Sequence, residues 1–279
     1  MFRALIVLAV AMALFLPPAC SPGEEPSEKT TPAATAEEKT SPTPTTITFG
    51  VDPTWPPFEY LDEDGKVVGL SVDYVQEIGR AAGFDPIFVP VPWDGIFDGL
   101  LEGKYDAICS SVSITEDRCK IMAFSEPYFK ARQVLVTKVE SAAVRLEEMA
   151  GRVVGAQVGT TGAAAVEKAG GVVPEVFEDL DSALEALADG RVQGVVCDDP
   201  AAAHFVLTGK KYLGKLRIAG VVESGGFEYY GIAAAKNKPA ILAAINRGLA
   251  KVKAAGLDAK LIERWMTPGG RPSRPKFPE

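Results

Sequence analysis

The pattern of apolar and polar positions from residue 47 onward alternates between two periods. Short apolar runs are typical of buried strands, and apolar residues spaced three and four apart are typical of one helical face. The runs predict strands at 47–51, 87–91, 107–110, 134–137, 153–156, around Val176, 192–196 and 232–235. The helical spacing predicts helices at 71–82, 96–101, 163–169, 182–188, 201–207, 241–254 and 259–265. This alternation predicts an α/β fold with mostly parallel sheets, and its two successive series predict two lobes.

The first 45 residues do not show this pattern. Arg3 precedes an apolar stretch over 4–16, which is too short to span a bilayer and is typical of an export signal, predicted here over 1–19. The residues before Cys20 resemble a bacterial lipoprotein signal, so we expect a lipid on Cys20; ordinary secretion with a free Cys20 is the alternative. Composition predicts a disordered tether over 20–45 and a short polar tail over 268–279.

Composition and charge narrow the function classes. With 47% hydrophobic and 24% charged residues, the chain is typical of a globular protein. Its net charge of −8 argues against a nucleic-acid partner, because contacts with phosphates need a basic surface. The cysteine spacing is not that of a zinc site, and we expect neither a metal nor a cofactor.

Three cysteines remain after the signal and Cys20: Cys109, Cys119 and Cys197. Because the number is odd, at least one thiol stays unpaired or pairs between chains. A disulfide between Cys109 and Cys119 and two reduced structural thiols are both open at this point.

The first segment with candidate chemistry is 50–59, which follows the first predicted strand. Ligands of open α/β sheets bind at the carboxyl ends of the strands. Proline-stiffened turns would hold the Trp55 ring beside the Asp52 carboxylate. We expect Phe58 to pack in the core, since aromatic side chains are mostly buried for packing.

A second segment follows a later strand and precedes a helix. Hydroxyls of Ser110, Ser111 and Ser113, with the N–H groups of the helix N-terminus, would form an anion site. Arg118 lies one turn into the helix and can bind a carboxylate as a bidentate fork. Taken alone, the same residues also fit a capped helix with a solvated charge.

A third segment combines a strand end with a turn rich in glycine and threonine. Its Gln157, Thr160 and Thr161 would supply donors that face the second segment, and no lysine follows the glycines as in a nucleotide-binding P-loop. Asp198 and Asp199 add carboxylates after another strand, where such a pair can bind an ammonium group or a metal, or cap a turn.

Together these groups complement a zwitterion. Arg118 and the serines would bind an α-carboxylate, and Asp198 would bind an α-ammonium group. The rings of Trp55 and Trp93 would contact an aliphatic side chain. The sequence therefore predicts a site for a free α-amino acid.

The chain resembles the polar amino-acid family of bacterial extracellular solute-binding proteins over residues 46–267. The motifs that support the resemblance are, in order, WPPF at 55–58, GLSVD at 69–73, WDGI at 93–96, YDAI at 105–108, SVSIT at 111–115 with Arg118, FSEPY at 124–128, GAQVGTT at 155–161, and GRV at 190–192 leading to Asp198. The resemblance implies a type II periplasmic-binding-protein clamshell, in which two Rossmann-like lobes are joined by two hinge strands. It implies a first lobe of 46–133 and 228–267 and a second lobe of 134–227.

The resemblance also implies roles for individual residues. Carboxylate-binding positions match Ser111, Ser113, Arg118 and Thr161, and the ammonium partner matches Asp198. Aromatic residues on either side of the ligand side chain match Trp55 and Trp93. Positions that set side-chain specificity match Asp52, Ser71, Gln157 and Cys197.

Two departures from the family pattern bear on specificity: the first weakens the prediction of a lysine or arginine ligand, and the second weakens the prediction of a glutamine ligand. Ser71 stands where binders of basic amino acids can carry Asp, and neutral Gln157 stands where glutamine binders can carry Lys. Asp52 remains acidic. We therefore expect a polar amino acid as ligand, with a basic, arginine-like one ranked above glutamine.

By the same resemblance, lobe closure would deliver the ligand to the permease and ATPase subunits of an ABC importer. The protein is expected to be an extracytoplasmic monomer, held at a membrane by its lipid anchor, with no nucleic-acid partner.

Two other functions are open from sequence. Cyclohexadienyl-dehydratase-like enzymes resemble this family and would need a general acid, for which Asp52, Glu59 and Asp199 are candidates. We expect His204, in an apolar helix, to have a packing role. A ligand-sensing domain would need a membrane span after the clamshell, which the polar tail over 268–279 does not predict.

Overall fold

A computed structural model describes residues 45–223 and 226–267. The predicted signal, Cys20, the tether up to residue 44 and the tail over 268–279 lie outside the described residues. Within the described ranges, no helix is long and apolar enough to cross a bilayer.

Strands and helices alternate along the chain. The strands are β1 (Thr46–Val51), β2 (Thr54–Trp55), β3 (Glu59–Leu61), β4 (Val67–Val68), β5 (Asp85–Pro90), β6 (Ala107–Ile108), β7 (Ala123–Phe124), β8 (Phe129–Ala131), β9 (Gln133–Lys138), β10 (Val153–Gln157), β11 (Val173–Phe177), β12 (Gly194–Asp198), β13 (Leu216–Val221), β14 (Glu228–Tyr230) and β15 (Ala233–Ala234). The α-helices are α1 (Leu70–Ala82), α2 (Ile96–Leu101), α3 (Glu116–Ile121), α4 (Thr161–Ala169), α5 (Leu180–Asp189), α6 (Asp199–Ala203), α7 (Pro239–Ala254) and α8 (Leu257–Met266). A 3₁₀-helix covers Leu146–Met149 and a π-helix covers His204–Thr208.

Two five-stranded sheets organise the fold. The first has the order β5-β1-β6-β15-β7 and the second the order β11-β10-β12-β9-β13. In the first sheet β1 pairs in parallel with β5 and β6, and in the second sheet β10 pairs in parallel with β11 and β12; the remaining pairs in both sheets are antiparallel. The predicted α/β class with two repeated series is confirmed.

The two sheets belong to two lobes that are connected through a narrow ribbon. Strands β8 and β14 pair antiparallel outside both sheets, with Glu228 opposite Ala131 and Tyr230 opposite Phe129. The chain enters the second sheet just after β8 and returns to the first sheet just after β14. This is the two-lobed clamshell that the sequence predicted.

Close backbone contacts fix the first lobe behind the cleft. Helix α1 has an amphipathic pattern and buries its apolar face against α7 and α8. A Cβ atom at Gly248 of α7 would lie 2.4 Å from the carbonyl oxygen of Ile78, so only glycine allows this approach. At Gly69, where φ is +139°, a Cβ atom would lie 1.9 Å from the carbonyl oxygen of Phe58, so glycine is needed there too.

Several predicted elements differ from the structure. The predicted helix over 201–207 is the short α6 followed by the π-helix, and the strand predicted at 192–196 lies at Gly194–Asp198. The hairpin strands β2, β3 and β4, the short strands β7, β8 and β14 and the six-residue strand β13 were not predicted. Strands of two or three residues are too short to show a period of two, which explains these omissions except that of β13.

The cysteine alternatives are partly resolved. Cys109 and Cys197 are free and buried, so a disulfide between Cys109 and Cys119 is not formed. The Cys109 thiol instead approaches the carbonyl oxygen of Ser71 at 3.5 Å.

Candidate functional site

A cleft lies between the carboxyl ends of the parallel strands of the two sheets, where ligands of open α/β sheets bind. Every predicted ligand-binding residue except Ser71 lines the cleft: Asp52, Trp55, Trp93, Ser110, Ser111, Ser113, Arg118, Gln157, Thr160, Thr161 and Asp198. The structure thus brings together side chains that are far apart in sequence.

Local structure explains why these residues converge. Asp52 directly follows β1, and Ser110 lies just beyond β6. In the second sheet Gln157 ends β10, and Asp198 ends β12. Parallel strands end at the same edge of a sheet, so each lobe presents its strand ends to the other.

The aromatic side chains close part of the cleft. Trp55 is buried with 9% of its surface exposed. Trp93 donates a hydrogen bond from Nε1 to the carbonyl oxygen of Val158 at 2.9 Å, and this bond joins the two lobes. Phe58 is fully buried and packs edge-on against Phe129 and Tyr230, which confirms its packing role.

Arg118 lies at the boundary between the lobes. Its Nη1 donates to the carbonyl oxygen of Ser113 at 2.8 Å, and its Nη2 donates to that of Gly159 at 3.0 Å. The guanidinium carbon lies 5.6 Å from the centre of the Trp93 ring, a cation–π distance. Burial lowers the pKa of Arg118 to about 10, and the carboxylate of Glu228 opposes this shift, so the group is charged at neutral pH. These two bonds use two of the five N–H donors of the guanidinium, which is the group that best matches a carboxylate.

The beginning of α4 faces the same space. The Thr160 hydroxyl caps this helix: it accepts from the Ala163 N–H at 3.1 Å and donates to the Gln157 carbonyl oxygen at 2.8 Å. The N–H groups in the first turn of a helix lack partners within the helix. They attract anions, so this end of the cleft favours a carboxylate.

Asp198 is a buried carboxylate with two donors that the sequence did not indicate. Its Oδ1 accepts from Nε2 of Gln133, and its Oδ2 accepts from the Tyr230 hydroxyl. Burial raises the pKa of Asp198 to about 7, and the charge of Glu228 adds to the rise. A cation beside Asp198 would stabilise its ionised form.

Asp52 lies at the other side of the cleft. Its Oδ2 accepts from the Thr54 hydroxyl at 2.9 Å, and Nε2 of Gln157 approaches the same oxygen at 3.5 Å from the other lobe. Gln157 is held by its bond to the carbonyl oxygen of Glu178 at 2.9 Å. Burial raises the pKa of Asp52 to about 6, which the Thr54 bond opposes.

Ser71 lies apart from the cleft lining. Its hydroxyl is fully buried and forms a hydrogen bond with the Tyr128 hydroxyl at 3.0 Å. Glu59 is also fully buried, and neither carboxyl oxygen has a hydrogen-bond partner among the described residues. Burial raises the pKa of Glu59 well above its ordinary value. The nearby hydroxyls of Ser111 and Ser71 oppose this rise, although neither forms a hydrogen bond with the carboxyl group. Burial therefore favours the protonated form of Glu59.

The other residues named from sequence are outside the cleft lining. Cys197 is buried in β12, and Oδ1 of Asp199 accepts from the Arg132 N–H at 2.9 Å. His204 packs its ring 5.8 Å from that of Phe205 and 6.5 Å from that of Tyr60, as expected for a packing residue. Of the general acids considered for an enzyme, Asp52 alone lines the cleft described here.

Glu228, like Gln133 and Tyr230, is a residue at this site that sequence reasoning missed. Its Oε2 accepts from the hydroxyls of Ser113 and Thr161, each at 2.7 Å. Nothing local marks Glu228, because it reaches the site through the pairing of β14 with β8. Within the described ranges, no cluster of histidine, cysteine and acidic residues is suited to a metal.

Comparisons with known proteins agree with this geometry. Residues 47–268 match the family of bacterial extracellular solute-binding proteins, family 3. A probable histidine-binding protein of Neisseria gonorrhoeae is 33% identical over 77% of this chain and 80% of its own length. Proteins named for binding an amino acid recur among the relatives, and these are binding proteins and not enzymes.

The chain is also similar to solved structures of amino-acid-binding proteins. An ancestral arginine-binding protein bound to arginine has a TM-score of 0.75 and 35% identity, covering 81% of this chain and all of its own; an ancestral arginine-binding protein bound to glutamine is a further similar structure. The arginine-binding protein of T. maritima in its holo form has a TM-score of 0.69 and 36% identity, covering 80% of this chain and 96% of its own. With its two lobes and its matching sequence, the chain belongs to family 3 of the bacterial extracellular solute-binding proteins.

Proposed function

We propose that this protein binds a free basic amino acid, best represented by arginine, and delivers it to the permease and ATPase subunits of an ABC importer. The observation that supports the ligand class most strongly is the charge of the cleft. Asp52 and Asp198 line it, Glu228 lies directly behind it, and Arg118 is the one cation among the described lining residues. An amino acid with a neutral side chain adds no net charge to this excess of carboxylates. A basic amino acid adds one positive charge, which offsets part of the excess.

The lining residues support a proposed partner for each part of the ligand. Arg118 and the first-turn N–H groups of α4 suit the α-carboxylate, and Asp198 suits the α-ammonium group. The Trp55 and Trp93 rings would flank the aliphatic stem. Asp52 would then meet the side-chain cation.

Glutamine is the alternative ligand, since the similar structures include an ancestral arginine-binding protein bound to arginine and an ancestral arginine-binding protein bound to glutamine. Burial raises the pKa of Asp52, so ionising it costs free energy that only a cationic partner offsets well. A neutral amide at this position would gain less. This difference supports the basic ligand.

The organisation of the molecule follows the same proposal. Residues 46–133 and 228–267 would form the first lobe and 134–227 the second, with the ribbon of β8 and β14 as the hinge. Lobe motion about this hinge would close the cleft and exclude water from the ligand. The protein would act as an extracytoplasmic monomer, anchored to a membrane by a lipid on Cys20.

Calorimetric titration of the purified protein against the twenty amino acids tests the proposal, after unfolding and refolding to remove any ligand retained from the expression host. We expect saturable binding of arginine or another basic amino acid, abolished in Arg118→Ala and in Asp198→Ala. Glu126→Gln, which changes an exposed carboxylate away from the cleft, is the matched control. Binding of no amino acid would refute the proposed function.

A further inference from the structure

One oxygen of Glu228 connects the two lobes at the back of the cleft. Glu228 begins β14 of the ribbon, and its Oε2 accepts from Ser113 Oγ and from Thr161 Oγ1, each at 2.7 Å. Ser113 lies beyond β6 of the first sheet, whereas Thr161 begins α4 beside the second. Both hydroxyls line the cleft, but Glu228 does not.

The protons of these hydroxyls decide what the hydroxyls can bind. A hydroxyl group has one proton to donate and two lone pairs that accept. Ser113 and Thr161 both give their proton to Glu228, so neither can donate to a ligand carboxylate. Thr161 Oγ1 also accepts from Nε2 of Gln133 at 3.1 Å, which leaves it one lone pair. Toward the ligand, both hydroxyls are therefore acceptors.

Asp198 extends this group of acceptors. Gln133 donates both to Thr161 and to Asp198, and it thereby holds the two side chains next to each other. Glu228 is close enough to Asp198 for its charge to add to the rise in the pKa of that group. Two hydroxyl oxygens and two carboxylates thus form one electronegative region, and the ligand group that matches it is an ammonium.

We propose that Glu228 is a positioning residue that determines specificity: it turns the hydroxyls of Ser113 and Thr161 into acceptors and adds a second negative charge to the ammonium end of the site. This assignment differs from the carboxylate-binding role that the family resemblance implies for these two hydroxyls. The α-carboxylate is then bound by Arg118 and the N-terminus of α4. The inference rests on the proposed function and refines it.

The substitution Glu228→Gln tests the proposal, because glutamine keeps the size and one acceptor oxygen of the side chain but removes the charge. The probes are arginine, agmatine, which lacks the α-carboxylate, and 5-guanidinopentanoate, which lacks the α-amino group. We expect the variant to bind arginine and agmatine about tenfold more weakly, as for loss of a charge-assisted hydrogen bond. Binding of 5-guanidinopentanoate should be unchanged or tighter, a difference that a purely structural role would not produce.

Other outcomes overturn the proposal. Tighter binding of both arginine and 5-guanidinopentanoate with unchanged agmatine would mean that Glu228 competes with the α-carboxylate. Equal weakening of all three probes would mean a structural role alone. Glu228→Asp, which restores the charge, should recover part of the arginine affinity, and no recovery would contradict the charge argument. If the wild-type protein bound no arginine, the proposed function would fail first; unchanged arginine affinity in Glu228→Gln would refute this inference alone.

Discussion

The hydroxyl of Tyr230 donates a hydrogen bond to the carboxylate of Asp198. Asp198 ends β12 of the second sheet, and Tyr230 ends β14 of the ribbon, so the bond crosses from one lobe to the connection between them. It fixes the orientation of the carboxylate that we assign to the ligand ammonium. This side-chain pair therefore links the position of the lobes to ligand recognition.

Replacement of Tyr230 by phenylalanine should weaken the binding of arginine by about tenfold, because ionised Asp198 loses a donor that stabilises it. The ring would still pack against Phe58 and Phe129, so the fold should be retained. Calorimetric titration at pH 7 measures the effect. Tyr229→Phe is the matched control on the same strand and should bind normally. Equal affinity in the two variants would remove Tyr230 from the account of the site.

Affinity for a basic amino acid should rise with pH in the weakly acidic range. Burial raises the pKa of Asp52 to about 6 and that of Asp198 to about 7, and both must be ionised to bind cations. Binding of arginine should therefore strengthen by about tenfold or more between about pH 5.5 and about pH 7.5, through release of these protons. Titrations across this range measure the change. Asp198→Asn should show a shallower pH dependence, and a wild-type affinity independent of pH would contradict the assignment.

Stability of the ligand-free protein should change in the opposite direction. Asp52, Asp198 and Glu59 have pKa values in the folded protein above those of the unfolded chain, so the folded state binds more protons. These groups stabilise the fold fully at pH values below their pKa values in the unfolded chain. This stabilisation is lost as the pH rises through their pKa values in the folded protein, from about pH 4 to pH 7 and above. The free energy of unfolding should be lower at pH 8 than at pH 5 by roughly 4 kcal/mol.

Glu59→Gln separates this effect from ligand binding. Because Glu59 is fully buried without a hydrogen-bond partner among the described residues, a neutral amide avoids the cost of its ionisation. Urea unfolding should show a weaker decline in stability with pH, while arginine affinity stays within about twofold. Complete loss of binding would instead place Glu59 among the ligand-contacting groups.

The sequence indicated most of the cleft because its residues have local signals. Asp52, Ser110, Thr160 and Asp198 each lie where an apolar run gives way to turn residues, and such positions are strand ends or helix caps. The periodic helices were also predicted to within a few residues; the predicted helix over 241–254, for example, is Pro239–Ala254.

What the sequence did not indicate depends on contacts between distant segments. Gln133, Tyr230 and Glu228 reach the site through strand pairing across the ribbon and second sheet, which leaves no local pattern. Ser71 illustrates the converse, because the resemblance places it among specificity positions whereas its hydroxyl is fully buried against Tyr128. Its contribution to specificity stays a prediction.

The ratio of the dissociation constants for citrulline and arginine tests most directly that charge selects the ligand. Citrulline has nearly the same shape as arginine, but a neutral urea group replaces the guanidinium. The account predicts that the wild-type protein binds arginine at least about tenfold more tightly, and that Asp52→Asn reduces this preference toward unity. Equal affinity for the two ligands in the wild-type protein would contradict it and would favour a neutral ligand such as glutamine.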